Sequence, residues 1–151
     1  MTLAKLGAMA ALSCVIALPC AGQDDALAAS RDRWRAAGLS AYEYGYQKYC
    51  ECHPESPPET VVTVRGSEVV AVRHKPQNSA AETPAEERNL QFYWTVDGLF
   101  TLLESAFGRG ALVRADYDGA LGYPTRIYID YDRDFIGDEL DLRITRVAAI
   151  N

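Results

Sequence analysis

The segment TVVTVRGSEVVAVR, Thr60 to Arg73, decides the fold. Thr60 to Val64 and Glu68 to Arg73 are rich in β-branched residues, whose side chains pack well on a pleated surface. Between them Arg65-Gly66-Ser67 supplies a tight turn, so the stretch reads as a β-hairpin.

Upstream, Tyr42, Tyr44 and Tyr46 recur at every second position and share one face of a further strand. That strand continues to Tyr49 and Cys50, where His53-Pro54 and Pro57-Pro58 impose a loop. Before it, Asp24 to Ala37 reads as a helix. Asp24 and Asp25 complement its N-terminus, Leu27 and Trp34 supply an apolar face, and Gly38 stops it.

Downstream, Lys75 to Asn89 is polar, contains Pro76 and Pro84, and lacks periodicity. It is expected to be a long surface loop. Thr95 caps a second helix whose Leu99, Leu102, Leu103, Ala106 and Phe107 recur at helical spacing, with Gly108 and Gly110 at its end. Three strands follow: Leu112 to Tyr117, Thr125 to Tyr131, and a last one marked by Leu140, Leu142, Ile144 and Val147, irregular near its end. The expected order is α-β-β-β-α-β-β-β. Short connections favour antiparallel neighbours, which predicts an α+β fold. It is one antiparallel sheet of about six strands, packed by one or two helices.

The chain has 151 residues, enough for one domain. Lys5 precedes the apolar stretch Leu6 to Leu18, Pro19 breaks it, and Cys20-Ala21-Gly22 offers small residues for a signal peptidase. Residues 1–22 are therefore expected to be a signal peptide and 23–151 a single domain, secreted or periplasmic, with no transmembrane span after processing. A second reading lipidates Cys20 and anchors the protein to the cell envelope, although Pro19 before the cysteine fits poorly. A third keeps the stretch as the buried helix of a cytosolic protein.

The chain carries 15 Lys+Arg against 21 Asp+Glu, a formal charge of −6. Without Lys5 the mature part has 14 against 21, a charge of −7. Nucleic acids and anionic membranes attract basic patches, so this balance argues against both as partners.

Four patterns could carry chemistry. Cys50 and Cys52 would be the two thiols left if residues 1–22 were removed, and secreted chains rarely keep idle thiols. Two residues apart in a strand, their Cα atoms lie roughly 6.5–7 Å apart, the upper limit for a disulfide. A bend at Glu51 would bring them into range, and such a bond would staple a strand end. The competing reading adds His53 and perhaps His74 as zinc or copper ligands, although Cys-x-Cys is not the usual zinc spacing. A redox role lacks the Cys-x-x-Cys spacing beside a helix start.

Asp130, Asp132, Asp134, Asp138 and Asp141 match positions of a calcium-type loop. Phe135 stands where that loop needs glycine, and the flanks read as strands. Tyr42, Tyr44 and Tyr46 could form a sugar- or peptide-binding surface, or the packing face beneath a helix. Hydrolysis by carboxylates is a weaker alternative. The two His lie in no nucleophile–base motif, and no nucleotide or phosphate-loop fingerprint is present, so no cofactor is implied.

Several of these patterns together resemble a family of bacterial secreted or lipid-anchored proteins defined as a domain of unknown function. They are Trp34 in the first helix, the Tyr-x-Tyr strand, Cys50-x-Cys52 before a Pro-bearing loop, and Thr95-Val96-Asp97-Gly98-Leu99-Phe100. The last is Tyr117-Asp118 followed by Gly122-Tyr123-Pro124-Thr125, Ile127 and Ile129-Asp130. The most specific part is Gly122-Tyr123-Pro124 with Asp138-Glu139. The resemblance implies a small exported domain and no known reaction. One departure is His53, where the family pattern tends to place Pro directly after the second Cys. The expected function is that of a non-enzymatic exported module that binds a partner at the envelope. The alternative is a thiol-dependent metal or redox protein centred on Cys50 and Cys52.

Overall fold

The computed structural model describes residues 22–49, 59–75, 83–85 and 87–151. Its elements are α1 (Gln23–Ala37), β1 (Ala41–Tyr49), β2 (Thr60–Arg65), β3 (Glu68–His74), β4 (Thr83–Pro84), a 3-10 helix (Glu87–Phe92), α2 (Val96–Gly108), β5 (Leu112–Tyr117), β6 (Pro124–Asp130) and β7 (Leu140–Ala149). They form one open antiparallel sheet in the order β4-β3-β2-β1-β7-β6-β5, with both α-helices on one side. The α+β architecture and element order expected from the sequence are thus those of the protein.

The Lys75–Asn89 expectation needs a correction. Within that span lie the two-residue strand β4 and the start of the 3-10 helix. β4 pairs with β3 through Arg73↔Pro84 and His74↔Thr83, and the Ala85 N–H donates to the Val72 carbonyl at 2.8 Å. Pro84 suits this outermost position, since an edge strand does not need its missing donor.

The first four strands form one meander and β5–β6–β7 another. The 3-10 helix and α2 carry the chain between the two outer strands. β1 closes the seam against β7, from Tyr42↔Ala149 to Tyr49↔Asp141. Gly45 faces an irregularity on β7, because Tyr44 pairs with Val147 while Tyr46 pairs with Ile144. This is the irregularity expected near the end of the last strand, and such bulges locally increase twist.

The core lies between the sheet and the helices. Tyr42, Tyr44, Val62, Val64, Val72, Ile127, Ile129, Leu142 and Ile144 come from the strands. Leu27 and Trp34 of α1 and Leu99, Phe100, Leu103 and Ala106 of α2 meet them. Thr95 caps α2, its Oγ1 accepting from the Gly98 N–H at 3.0 Å, as its sequence position predicted.

Gly122 has φ +82° in the β5–β6 turn, and a Cβ there would sit 2.2 Å from the Ser30 carbonyl oxygen of α1. The turn is held by Asp118, whose Oδ1 accepts from the N–H groups of Ala120 (3.0 Å) and Leu121 (2.6 Å). Tyr123 then enters the core. The Asp118 and Gly122-Tyr123-Pro124 pattern is therefore a packing device that seats the turn on α1.

Candidate functional site

Cys50, Cys52 and His53 lie outside the described residues. His74 is described: its Nδ1 lies 3.2 Å from Thr60 Oγ1 and its ring 6.5 Å from that of Tyr93. Among the described residues no three His, Cys, Asp or Glu side chains converge as metal ligands. Of the aspartates in the calcium-type pattern, Asp132 and Asp141 have other partners. Asp132 Oδ1 accepts from the Asp134 N–H at 3.1 Å, and its carbonyl from Phe135 at 2.9 Å. Asp141 pairs with Arg126.

The three tyrosines of β1 point into the core rather than to solvent, so the packing reading holds. Tyr42 accepts the Val96 N–H at 2.9 Å, and the Tyr44 hydroxyl donates to the Trp94 carbonyl. Both bonds fasten the start of α2 to the centre of the sheet. Trp34 packs edge-on to Tyr42 at 5.1 Å, and its indole N–H reaches Asp97 Oδ2 at 3.3 Å. Burial raises the Tyr42 hydroxyl to about 12 and pushes Tyr44 well above its ordinary value. Tyr46 packs against Tyr93 and Trp94.

The opposite face of the sheet carries no helix, and its side chains are polar and charged. The reason is local: along β5, β6 and β7 the apolar residues occupy one phase and the charges the other. Val113 and Ala115 alternate with Arg114 and Asp116, Ile127 with Arg126 and Tyr128, and Leu142 with Asp141 and Arg143.

Two polar clusters occupy this face. Over β1–β3, Arg73 grips Glu43 with both guanidinium nitrogens at 3.1 Å, and Thr63 donates to Glu43 at 2.8 Å. Alongside, Glu59 accepts from Thr145 at 2.7 Å and from Lys75 at 3.1 Å. The bond to Thr145 crosses β1 above Gly45, where a Cβ would meet Thr145 Oγ1 at 2.0 Å and Glu59 Oε1 at 2.2 Å. The hydrogen bond from Arg73 holds the Glu43 carboxyl below its ordinary value, and that from Thr145 does the same for Glu59.

The second cluster covers β5–β7. Arg126 stands directly opposite Arg143 on one side and Asp116 on the other; Tyr128 stands opposite Asp141 and Arg114. Arg126 pairs with Asp141 at 3.1 Å, and Arg143 lies over the Tyr49 ring at 4.9 Å. A cavity of about 460 Å³ opens here at the β5 edge, lined by Gln23, Arg114, Asp116, Arg126, Tyr128 and Asp141 among others. Gln23 closes its rim by accepting the Ala115 N–H at 3.3 Å.

Sequence reasoning passed over this arginine-bearing cluster, although its signal was present as the polar phase of three core strands. The charges become a site only through strand register, which brings together residues 12 to 29 positions apart, from Arg114 to Arg126 to Arg143.

Fold and site together define an open-faced α+β domain: one side of the sheet is sealed by helices and the other displays paired charges around a shallow cavity. The chain belongs to the Family of unknown function (DUF6174), whose model matches residues 26–149. No similar chain was found among curated proteins or solved structures.

Proposed function

We propose that the protein is an exported, non-enzymatic module that binds a partner of the cell envelope through the helix-free face of its sheet. The observation that carries this reading is the gathering of arginines on this face beside the carboxylates that pair with them. In a chain of formal charge −6, Arg73, Arg114, Arg126 and Arg143 are gathered on one face. Like charges opposed across a ladder cost stability. Arg126 facing Arg143 is a cost that a bound acidic group would relieve.

Export is supported by the composition of residues 1–22 and by the position of α1. The helix begins at Gln23 and the family match at residue 26. Among the described residues no helix is long and apolar enough to cross a membrane. In this reading residues 1–22 are removed, or the chain is anchored through Cys20. Cys50 and Cys52 are then joined by a disulfide directly after β1.

Site-specific photocrosslinking in intact cells tests the binding face. Probes at Thr145 or Tyr128 should yield adducts with a single envelope component, and probes at Asp32 or Thr101 on the helical side should not. Adducts only from the helical side, or none from either, would reject the reading. The disulfide is tested by intact mass after alkylation, with and without prior reduction. The oxidised form should gain two alkyl groups only after reduction, and free thiols in freshly secreted protein would remove it.

A further inference from the structure

The cavity at the β5 edge contains a cation that no described residue has claimed. Among the described residues Arg114 makes no hydrogen bond or ion pair, although it lines the cavity beside Arg126 and Tyr128. By contrast, Arg73 has Glu43, Arg126 has Asp141 and Arg143 has the Tyr49 ring. A planar guanidinium with five N–H donors matches a carboxylate or a phosphate in a two-pronged geometry. Volume admits either, since 460 Å³ falls within the roughly 300–1,000 Å³ of small-ligand sites.

The acidic residues decide between them. Asp116 and Asp141 line the same cavity, on strands flanking Arg126. A phosphate, carrying up to two negative charges, would meet both carboxylates as well as the arginines. A monocarboxylate needs only one guanidinium. Asp116 and Asp141 are then acceptors for hydroxyl groups on the same ligand, because an ionised carboxylate only accepts. Tyr128 adds an aromatic wall of the kind that packs against the C–H surface of a ring.

We propose that this cavity binds a hydroxylated monocarboxylate of the sugar-acid class, with Arg114 holding the carboxylate and Asp116 and Asp141 receiving hydroxyls. The assignment rests on the reading of the open face as the binding face and names the chemistry that face selects. An envelope partner would be recognised, on this account, through an acidic sugar unit.

Calorimetric titration of the purified protein with D-glucuronate tests the idea, with D-glucose and inorganic phosphate titrated in parallel. Glucuronate should bind at least roughly tenfold more tightly than either comparison ligand. Arg114→Gln should weaken glucuronate binding by roughly tenfold or more, while Arg35→Gln, on the exposed surface of α1, should leave it unchanged. Asp116→Asn should strengthen phosphate binding and weaken glucuronate binding, an opposite pair of shifts that a general loss of structure would not produce. Circular dichroism confirms that each variant folds. Absence of glucuronate binding, tighter binding of phosphate to the native protein, or an unaltered titration in Arg114→Gln would each overturn the assignment. If glucuronate fails while Tyr128 still crosslinks an envelope partner, the ligand class falls and the binding-face reading stands. If both fail, that reading falls with it.

Discussion

Two glycines show how differently the same substitution acts at different places. At Gly122 an added methyl would be forced into a left-handed backbone conformation at φ +82° and against the Ser30 carbonyl of α1, a backbone atom with no freedom to retreat. Gly122→Ala should destabilise the protein by about 3 kcal/mol or more, read from urea denaturation. At Gly45 the obstructing atoms are the tips of Thr145 and Glu59, which can swing aside. Gly45→Ala should cost only about 1 kcal/mol, roughly one hydrogen bond, and should abolish the Glu59–Thr145 contact. Equal losses at the two positions would contradict the packing described. The tyrosines sharpen the same point. Tyr44→Phe leaves the partly buried Trp94 carbonyl without its donor and should cost about 1–2 kcal/mol, whereas Tyr131→Phe, at a half-exposed ring in the β6–β7 loop, should be near neutral.

Among elements, α2 depends most on its attachments. Thr95 supplies its cap, Tyr42 and Tyr44 grip the backbone just before and at its first turn, and Leu103 lies fully buried beneath it. Thr95→Ala should cost about 1 kcal/mol and Leu103→Ala about 2–5 kcal/mol, both measured by thermal or urea unfolding. These features were legible because they are local. A capping threonine, a stripe of leucines and alternating tyrosines announce their element from within a dozen residues. β4 and the 3-10 helix were not legible. Two residues carry no period, and what makes Thr83–Pro84 a strand is its pairing with Arg73 and His74. The cavity was hidden for a related reason. Arg114, Arg126 and Arg143 each look like an ordinary exposed position in an alternating strand, and only register places them side by side. The cysteine pair drew attention because it is compact in sequence, and it falls outside the described residues.

At the scale of the whole molecule, pH acts on the two faces in opposite directions. Glu43 and Glu59 have folded-state values below their ordinary 4.5. Just below pH 4.5 the unfolded chain takes up protons there that the folded protein refuses, so stability falls as pH drops through that window. Arg73→Gln removes the main cause of the Glu43 shift and should flatten part of the acid limb of a stability–pH curve. The core tyrosines work at the other end. Their hydroxyls are raised above the ordinary 10.0, Tyr42 to about 12. Their contribution is complete below pH 10, and it is lost as pH rises from there toward the folded values, because only the unfolded chain ionises freely. Chemical denaturation at pH 9, 10 and 11 should show a decline across that span, smaller in Tyr42→Phe; a flat profile would contradict the burial of these hydroxyls.

The seam between β1 and β7 also sets an order of events. β1 is among the first elements to leave the ribosome or any narrow channel, and its partner is the last. Until Leu140–Ala149 emerges, one edge of the central strand has no neighbour. Joining positions as remote as Tyr42 and Ala149 requires closing most of the chain into a loop, which slows folding. A nascent chain halted before Leu140 therefore presents an open central edge on which a companion strand from another molecule could dock. Completion of the C-terminal strand is what turns a vulnerable half-sheet into a closed unit.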